Sequence, residues 1–139
     1  MSTPPIPTVL RGRRVLVIDD DDDSRELLAE LLAEAGAEVR TASDADTALA
    51  ELAAFAPHVL VCDVSMPGED GYALMRRIRA LPQDRGGSVR AATFTAYARA
   101  EDRARAVSAG FDLHLTKPAD AVALTKALAS LADRGSPAT

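Results

Sequence analysis

Along this chain, short apolar runs alternate with amphipathic helical patterns, and this alternation restricts the possible folds more than any other feature. The runs at 15–18 and 59–62 are apolar without interruption, which is typical of strands covered on both faces. Weaker strand patterns lie at 38–41, 89–95 and 111–115. The alternation predicts an α/β fold: a doubly wound parallel sheet of five strands with helices on both faces.

Five helical patterns follow the strands. The first begins at Asp23 or Ser24 and ends before Gly36, which is placed for a left-handed C-cap. The second begins at Ser43 or Asp44, since either side chain can cap a helix. The other three patterns cover residues 72–81, 101–109 and 120–132.

The length of 139 residues predicts one domain. Residues 1–12 are rich in proline and lack periodicity, so we interpret them as a flexible N-terminal tail or linker. Residues 13–132 then form the domain, and residues 133–139 are interpreted as a C-terminal tail that follows the last helix.

Charge and composition restrict the partners and the location of the chain. The net charge of −5 argues against nucleic acid as the main ligand, because binding a polyphosphate needs surplus Lys and Arg. No apolar stretch reaches the roughly 18–20 residues that cross a bilayer, and the N-terminus lacks an apolar secretory core. The single cysteine, Cys62, lies in an apolar run and is expected to be a buried, inert thiol. We therefore expect a cytoplasmic protein that binds neither nucleic acid nor membrane.

Polar residues follow the strands at one end. Asp19 and Asp20 follow the first strand and Asp63 follows the third, while Thr95 ends the fourth and Lys117 follows the fifth. In open parallel sheets, ligands bind beyond the carboxyl ends of the strands, where the strand order reverses. In the known flavodoxin-like order 2-1-3-4-5 this point lies between strands 1 and 3. We therefore expect three carboxylates, a hydroxyl and an ammonium group to meet at one edge of the sheet.

The residue types at this edge indicate a particular chemistry. Two carboxylates about 4 Å apart repel each other by about 4 kcal/mol at an effective dielectric constant near 20. A hard divalent cation with oxygen ligands would offset this repulsion, and Mg²⁺ is the usual cellular choice. The hydroxyl and the ammonium suit the oxygens of a phosphoryl group, and an aspartate can be the nucleophile that accepts it. The pattern predicts Mg²⁺-assisted phosphoryl transfer to a carboxylate.

Four blocks of the sequence together resemble the receiver domain of bacterial response regulators. They are Val-Leu-Val-Ile-Asp-Asp-Asp at 15–21, Val-Cys-Asp-Val-Ser-Met-Pro-Gly-Glu-Asp-Gly at 61–71, Thr-Ala at 95–96 and Leu-Thr-Lys-Pro at 115–118. Each block alone is weakly specific, but all four occur in order and at the spacing that the fold needs. The resemblance covers about residues 13–132.

The resemblance implies that Asp63 is the phosphoacceptor, with Mg²⁺ held by Asp19, Asp20, Asp63 and the backbone carbonyl of Ser65. The phosphoryl donor would be a phosphohistidine on a sensor histidine kinase or on a histidine phosphotransfer protein, in a two-component or phosphorelay pathway. The chain would catalyse its own phosphorylation and dephosphorylation and have no separate enzymatic output. Phosphorylation would switch its contacts with a downstream protein.

The resemblance also implies that Lys117 pairs with a phosphoryl oxygen and that Thr95 binds the phosphoryl group and moves toward it after transfer. The Lys117–Pro118 peptide bond would be cis. Three residues before Lys117, where the family has an aromatic side chain that turns inward on activation, this chain has His114. We therefore expect Thr95 and His114 to be the switch residues, with Tyr97 as a candidate to share the role.

Two other functions are compatible with an aspartate at the end of a parallel strand. Haloacid-dehalogenase-like phosphatases also form an aspartyl phosphate there, but they have a second acid two residues after the nucleophile. This chain has Ser65 at that place and no cap insertion. A pseudo-receiver would be a binding module that never takes up phosphate. Every residue that the reaction needs is present, which favours an active receiver.

Overall fold

The computed structural model of the chain describes residues 7–66 and 68–134. The strands in this part of the chain are β1 (Arg14–Ile18), β2 (Glu38–Ala42), β3 (Val59–Cys62), β4 (Arg90–Thr95) and β5 (Leu113–Thr116). The helices are α1 (Asp22–Glu34), α2 (Ala45–Phe55), α3 (Gly71–Arg79), α4 (Ala100–Ala109) and α5 (Ala121–Arg134), with a 3-10 turn at Gln83–Arg85. In the two described ranges, no helix has the length and apolar character to span a membrane.

The five strands form one parallel sheet in the order β2-β1-β3-β4-β5. This confirms the predicted α/β fold and the order 2-1-3-4-5. Ile18 at the end of β1 is paired with Cys62 at the end of β3. Because these two central strands end at the same level, the residues that follow them leave the sheet side by side.

Alternate residues of the central strands face opposite sides of the sheet, and both sides are covered. Leu16 and Ile18 pack in one core cluster with side chains from α2, α3 and α4. Val15 and Val17 pack in a second cluster with side chains from α1 and α5. This period of two explains why β1 is apolar at every position from Val15 to Ile18. Cys62 is buried as predicted, and burial raises the pKa of its thiol far above the usual range, so the thiol is protonated at neutral pH.

The first helix begins earlier than the sequence predicted. Its N-cap is Asp21, whose carboxylate accepts a hydrogen bond from the Ser24 backbone N–H at 2.8 Å. The prediction of a cap at Asp23 or Ser24 was wrong, because Asp22 and Asp23 form the first turn of the helix, where acidic side chains complement the helix dipole. The predicted left-handed backbone at Gly36 is confirmed by its φ of +97°.

The segment before β1 contacts the core. Leu10 is 0% exposed, and its backbone N–H donates to the Ala35 carbonyl at 2.9 Å. A Cβ at Gly36 would come within 3.0 Å of the Arg11 backbone, so the segment and the end of α1 are in close contact. Residues 1–6 of the predicted tail lie outside the described residues, as do residues 135–139. The limits of the domain stay a prediction.

His58 gives the fold a pH-dependent contribution. Its Nδ1 accepts a hydrogen bond from the Arg14 backbone N–H at 2.9 Å, which requires that nitrogen to be unprotonated. Burial, followed by the charges of Arg14 and Arg13, lowers the pKa of His58. The unfolded chain therefore binds this proton more readily than the folded chain. The contribution to stability is present above the unfolded pKa of about 6.5 and is lost as the pH falls toward the lower folded pKa.

We expect His58→Asn to weaken this pH dependence. The asparagine amide oxygen can still accept from the Arg14 N–H, but it does not titrate. Urea unfolding at several pH values from about 7 to about 5.5 measures the effect. The free energy of unfolding should fall more steeply with acid in the wild type than in the variant. Parallel curves would show that His58 does not contribute.

Candidate functional site

Two carboxylates lie side by side where β1 and β3 end. Asp19 follows β1 and is only 4% exposed, whereas Asp63 follows β3 and is half-buried. The Asp63 backbone N–H donates to the Ile18 carbonyl at 2.9 Å, and the Asp19 N–H donates to the Ala42 carbonyl at 3.1 Å. These ladder bonds hold both aspartates at the edge of the sheet.

Lys117 joins the two carboxylates. Its Nζ lies 3.1 Å from Asp19 Oδ2 and 3.2 Å from Asp63 Oδ2. The Lys117 backbone N–H donates to the Thr95 carbonyl at 2.8 Å, which fixes the residue at the end of β5. The Lys117–Pro118 peptide bond is cis, as the resemblance implied.

The charge of Lys117 is stabilised by its partners. Burial disfavours the ammonium, but the hydrogen bond with Asp19 and the negative charges of Asp63 and Asp19 outweigh burial, so the pKa of Lys117 is raised. The site therefore holds a fixed positive charge between two carboxylates. The Lys117 Nζ also lies 5.5 Å from the centre of the Phe94 ring, which favours the charged form further.

The second oxygen of each carboxylate is held by the backbone. Asp63 Oδ1 accepts from the Ser65 N–H at 3.0 Å, and Asp19 Oδ1 accepts from the Asp21 N–H at 3.0 Å. Arg25 of α1 donates to the Asp19 backbone carbonyl at 2.9 Å. Arg25 was not among the predicted site residues, and the one signal for it in the sequence is its charge pair with Asp22 three residues earlier on the helix.

The expected group of three carboxylates is not formed. Asp20 is exposed, and no group of three or more His, Cys, Asp or Glu side chains suited to a metal occurs among residues 7–66 and 68–134. Neighbouring residues at a strand end point in opposite directions, so Asp19 turns toward Asp63 while Asp20 faces solvent. The structure thus brings together Asp19, Asp63 and Lys117.

The donor chemistry of the site nevertheless fits Mg²⁺. Asp19 and Asp63 each direct an oxygen to one shared positive charge, that of Lys117. In proteins Mg²⁺ is commonly bound by one or two carboxylates and keeps several waters, so a third buried acid is not required.

The predicted switch residues lie on neighbouring strands. Thr95 is buried at the end of β4, and its hydroxyl accepts from the Tyr97 backbone N–H at 3.4 Å. His114 lies on β5 and is half-buried, with hydrogen-bond partners at both ring nitrogens. Neither side chain has a hydrogen bond to Asp63 in the part of the chain that is described.

The loop after Asp63 requires a glycine at position 71. A Cβ there would lie 2.7 Å from the Val64 Cα and 2.8 Å from the Asp63 carbonyl oxygen, closer than side chains approach backbone. The first residue of α3 is therefore packed against the backbone of the candidate acceptor. The glycine thus allows the loop to return close to the backbone of Asp63 and Val64.

Comparisons with known proteins agree with this geometry. The sequence profile of a family described as "Response regulator receiver domain" matches residues 15–129. The 14.6 kDa protein of the sodA1 3′ region of Leptolyngbya boryana is 46% identical over 112 residues, which cover 81% of this chain and 84% of that protein. The sensor histidine kinase RcsC of Salmonella typhi is 39% identical over 120 residues, which are 86% of this chain but 12% of the kinase. The structure of Vibrio cholerae chemotaxis protein CheY4 matches with a TM-score of 0.79 and 28% identity, over 86% of this chain and 98% of CheY4.

Proposed function

We propose that the Asp63 carboxylate accepts a phosphoryl group, because this chain belongs to the family of response regulator receiver domains. The observation that carries the proposal is the contact of Lys117 Nζ with Asp19 Oδ2 at 3.1 Å and with Asp63 Oδ2 at 3.2 Å. This contact collects groups from the ends of three strands: an acceptor carboxylate, a second carboxylate and a positive charge. Receiver domains are signalling modules, and we assign this one no enzymatic output of its own.

In the proposed reaction an oxygen of Asp63 attacks phosphorus. The new O–P bond forms while the bond from phosphorus to the donor breaks, and the donor leaves as imidazole or, with acetyl phosphate, as acetate. The Ser65 N–H on Oδ1 fixes the orientation of the carboxylate before attack. Lys117 supplies positive charge where the phosphoryl oxygens arrive. The Thr95 hydroxyl then turns from the Tyr97 N–H toward the transferred group.

Asp19, Asp20, Asp63 and the backbone carbonyl of Ser65 are the residues that would hold Mg²⁺. Asp20 is exposed, so it would bind through a retained water or after its side chain turns. When bound, the ion supplies positive charge that stabilises the oxygens of the transferred group. The exposed position of Asp20 makes Asp19 the main anchor of the site in this proposal.

We assign the phosphoryl donor to a phosphohistidine on a sensor histidine kinase or on a histidine phosphotransfer protein, and the location to the cytoplasm. The similarity to one part of RcsC supports a histidine-kinase pathway. The acidic net charge of −5 supports a protein partner over nucleic acid or an anionic membrane. We take residues 13–132 as the domain, close to the 15–129 matched by the family.

Labelled acetyl phosphate tests the proposed function directly. With Mg²⁺ we expect up to one phosphoryl group per chain, and with EDTA we expect none, because Lys117 alone would not offset the repulsion between the two carboxylates and the incoming phosphoryl group. Reduction with borohydride converts an acyl phosphate of aspartate to homoserine, so mass spectrometry identifies the labelled position. We expect homoserine at position 63 and unchanged aspartate at position 70.

Each rival function gives a different result. A folded chain that takes up no label would be a pseudo-receiver. Rapid release of many phosphates per chain would indicate a phosphatase of the haloacid dehalogenase type. Labelling that proceeds equally well in EDTA would contradict the metal site and leave Asp63 as the acceptor.

A further inference from the structure

His114 connects the sheet to the loop that precedes α4. Its Nδ1 lies 2.7 Å from the Thr93 hydroxyl, and its Nε2 lies 2.8 Å from the Tyr97 carbonyl oxygen. Thr93 is the residue that pairs with His114 across β4 and β5. Tyr97 lies two residues beyond β4, so the ring spans from the sheet to the loop.

The two contacts determine which nitrogen carries the proton. A carbonyl oxygen can only accept, so Nε2 must carry the hydrogen in the bond to Tyr97. In the neutral ring Nδ1 is then an acceptor, and the Thr93 hydroxyl donates to it. Thr93 is 0% exposed, so water does not replace this bond. A ring without nitrogen atoms could make neither bond.

The backbone of Tyr97 is held from two sides. Its N–H donates to the Thr95 hydroxyl at 3.4 Å, a long hydrogen bond, while its carbonyl accepts from His114 at 2.8 Å. Thr95 carries the hydroxyl that would turn toward the phosphoryl group. Once it turns, the bond to His114 is the remaining one of these two hydrogen bonds to the Tyr97 backbone.

We propose that His114 is a positioning residue that clamps the loop at 96–99 to β5 through Thr93 and the Tyr97 carbonyl. The clamp keeps the loop in place when the Thr95 hydroxyl moves. An imidazole fixed by two hydrogen bonds thus stands where the family has an aromatic ring that turns. The clamp exists before phosphorylation, and only its part in the response to phosphoryl transfer rests on the proposed function.

Backbone ¹⁵N relaxation of residues 96–99 tests the clamp in the unphosphorylated protein. The order parameters should be near the rigid value of about 0.85 in the wild type and below about 0.6 in His114→Phe, which fills similar space without either bond. Thr93→Val should loosen the loop in the same way, and Thr93→Ser, which keeps the hydroxyl, should restore the wild-type values. The ring ¹⁵N spectrum of His114 should show the proton on Nε2.

The other histidine provides the matched control. His58→Phe removes a bond to the Arg14 backbone at the opposite end of the sheet, so it should leave the order parameters of 96–99 unchanged. The clamp is refuted if the loop stays rigid in His114→Phe. It is equally refuted if the neutral His114 ring carries its proton on Nδ1 and Nε2 is unprotonated.

A second measurement uses Mg²⁺ with beryllium fluoride, a stable analogue of the phosphoryl group. With the analogue bound, residues 96–99 should stay ordered in the wild type. In His114→Phe they should be more mobile than without the analogue, because the Tyr97 backbone has then lost its hydrogen bonds to both Thr95 and His114. A wild-type loop that becomes as mobile as that of the variant overturns the positioning role. If the analogue does not bind at Asp63, the proposed function fails, while the measurements without it still decide the clamp.

Discussion

Asp63→Asn is expected to abolish phosphoryl uptake from acetyl phosphate and to leave the chain folded. The asparagine amide oxygen can still accept from the Ser65 N–H, so the loop keeps its hydrogen bond. The amide is not an effective nucleophile toward phosphorus, and it carries no charge to place beside Mg²⁺. The amount of labelled phosphoryl group incorporated per chain measures the loss of phosphoryl uptake. Far-UV circular dichroism shows whether the fold is kept.

The matched control is Asp44→Asn. Asp44 caps α2 by accepting from the Thr47 N–H at 2.8 Å, and asparagine caps helices about as well as aspartate. The same chemical change at this position should leave labelling at the wild-type level. Label that appears on another aspartate of the Asp63→Asn protein, at the wild-type rate, would assign the acceptor elsewhere.

The sequence predicted the part of the site that depends on strand ends. The apolar runs within β1 and β3 identified the central strands, because strands covered on both faces are apolar on both sides of the sheet. Asp19 and Asp63 follow those runs directly, so their proximity follows once the strand order is known. The order itself came from precedent, since periodicity does not determine which strands are neighbours.

The direction of single side chains was not predictable in the same way. Asp19 and Asp20 are adjacent in the sequence, and which of them faces the site depends on the phase of the strand at its last residue. Lys117 lies 98 residues from Asp19 and 54 from Asp63, so its role as their shared counter-ion depends on tertiary contacts. From the sequence, Mg²⁺ was the only cation expected to offset the repulsion between the carboxylates, whereas in the structure Lys117 also does so. The contacts of His114 likewise depend on the rotamer of its side chain, which reaches from β5 to Thr93 of β4 and to the Tyr97 carbonyl.

Lys117→Met is expected to slow phosphoryl uptake by about 10²–10³-fold, the range found when one group that stabilises developing charge is removed. Methionine keeps an unbranched apolar stem beside Phe94 but has no charge 3.2 Å from Asp63. The initial rate of labelling at saturating Mg²⁺ measures the effect. Lys117→Arg keeps the charge and should recover part of the rate. A rate within about twofold of the wild type in Lys117→Met would remove Lys117 from the reaction.

The same substitution should change stability in a way that depends on Mg²⁺. Without metal, Lys117 is the cation that bridges Asp19 and Asp63, so its loss leaves two close carboxylates facing each other. We expect the free energy of unfolding of Lys117→Met to fall by about 2 kcal/mol in EDTA, because hydrogen bonds with charged groups are lost from a largely buried site. Mg²⁺ should then stabilise the variant more than the wild type, where the lysine already offsets part of the repulsion. Urea unfolding with and without Mg²⁺ distinguishes the contribution of the lysine from that of the metal. If Mg²⁺ raises the free energy of unfolding equally in both proteins, the lysine and the metal act on different carboxylates.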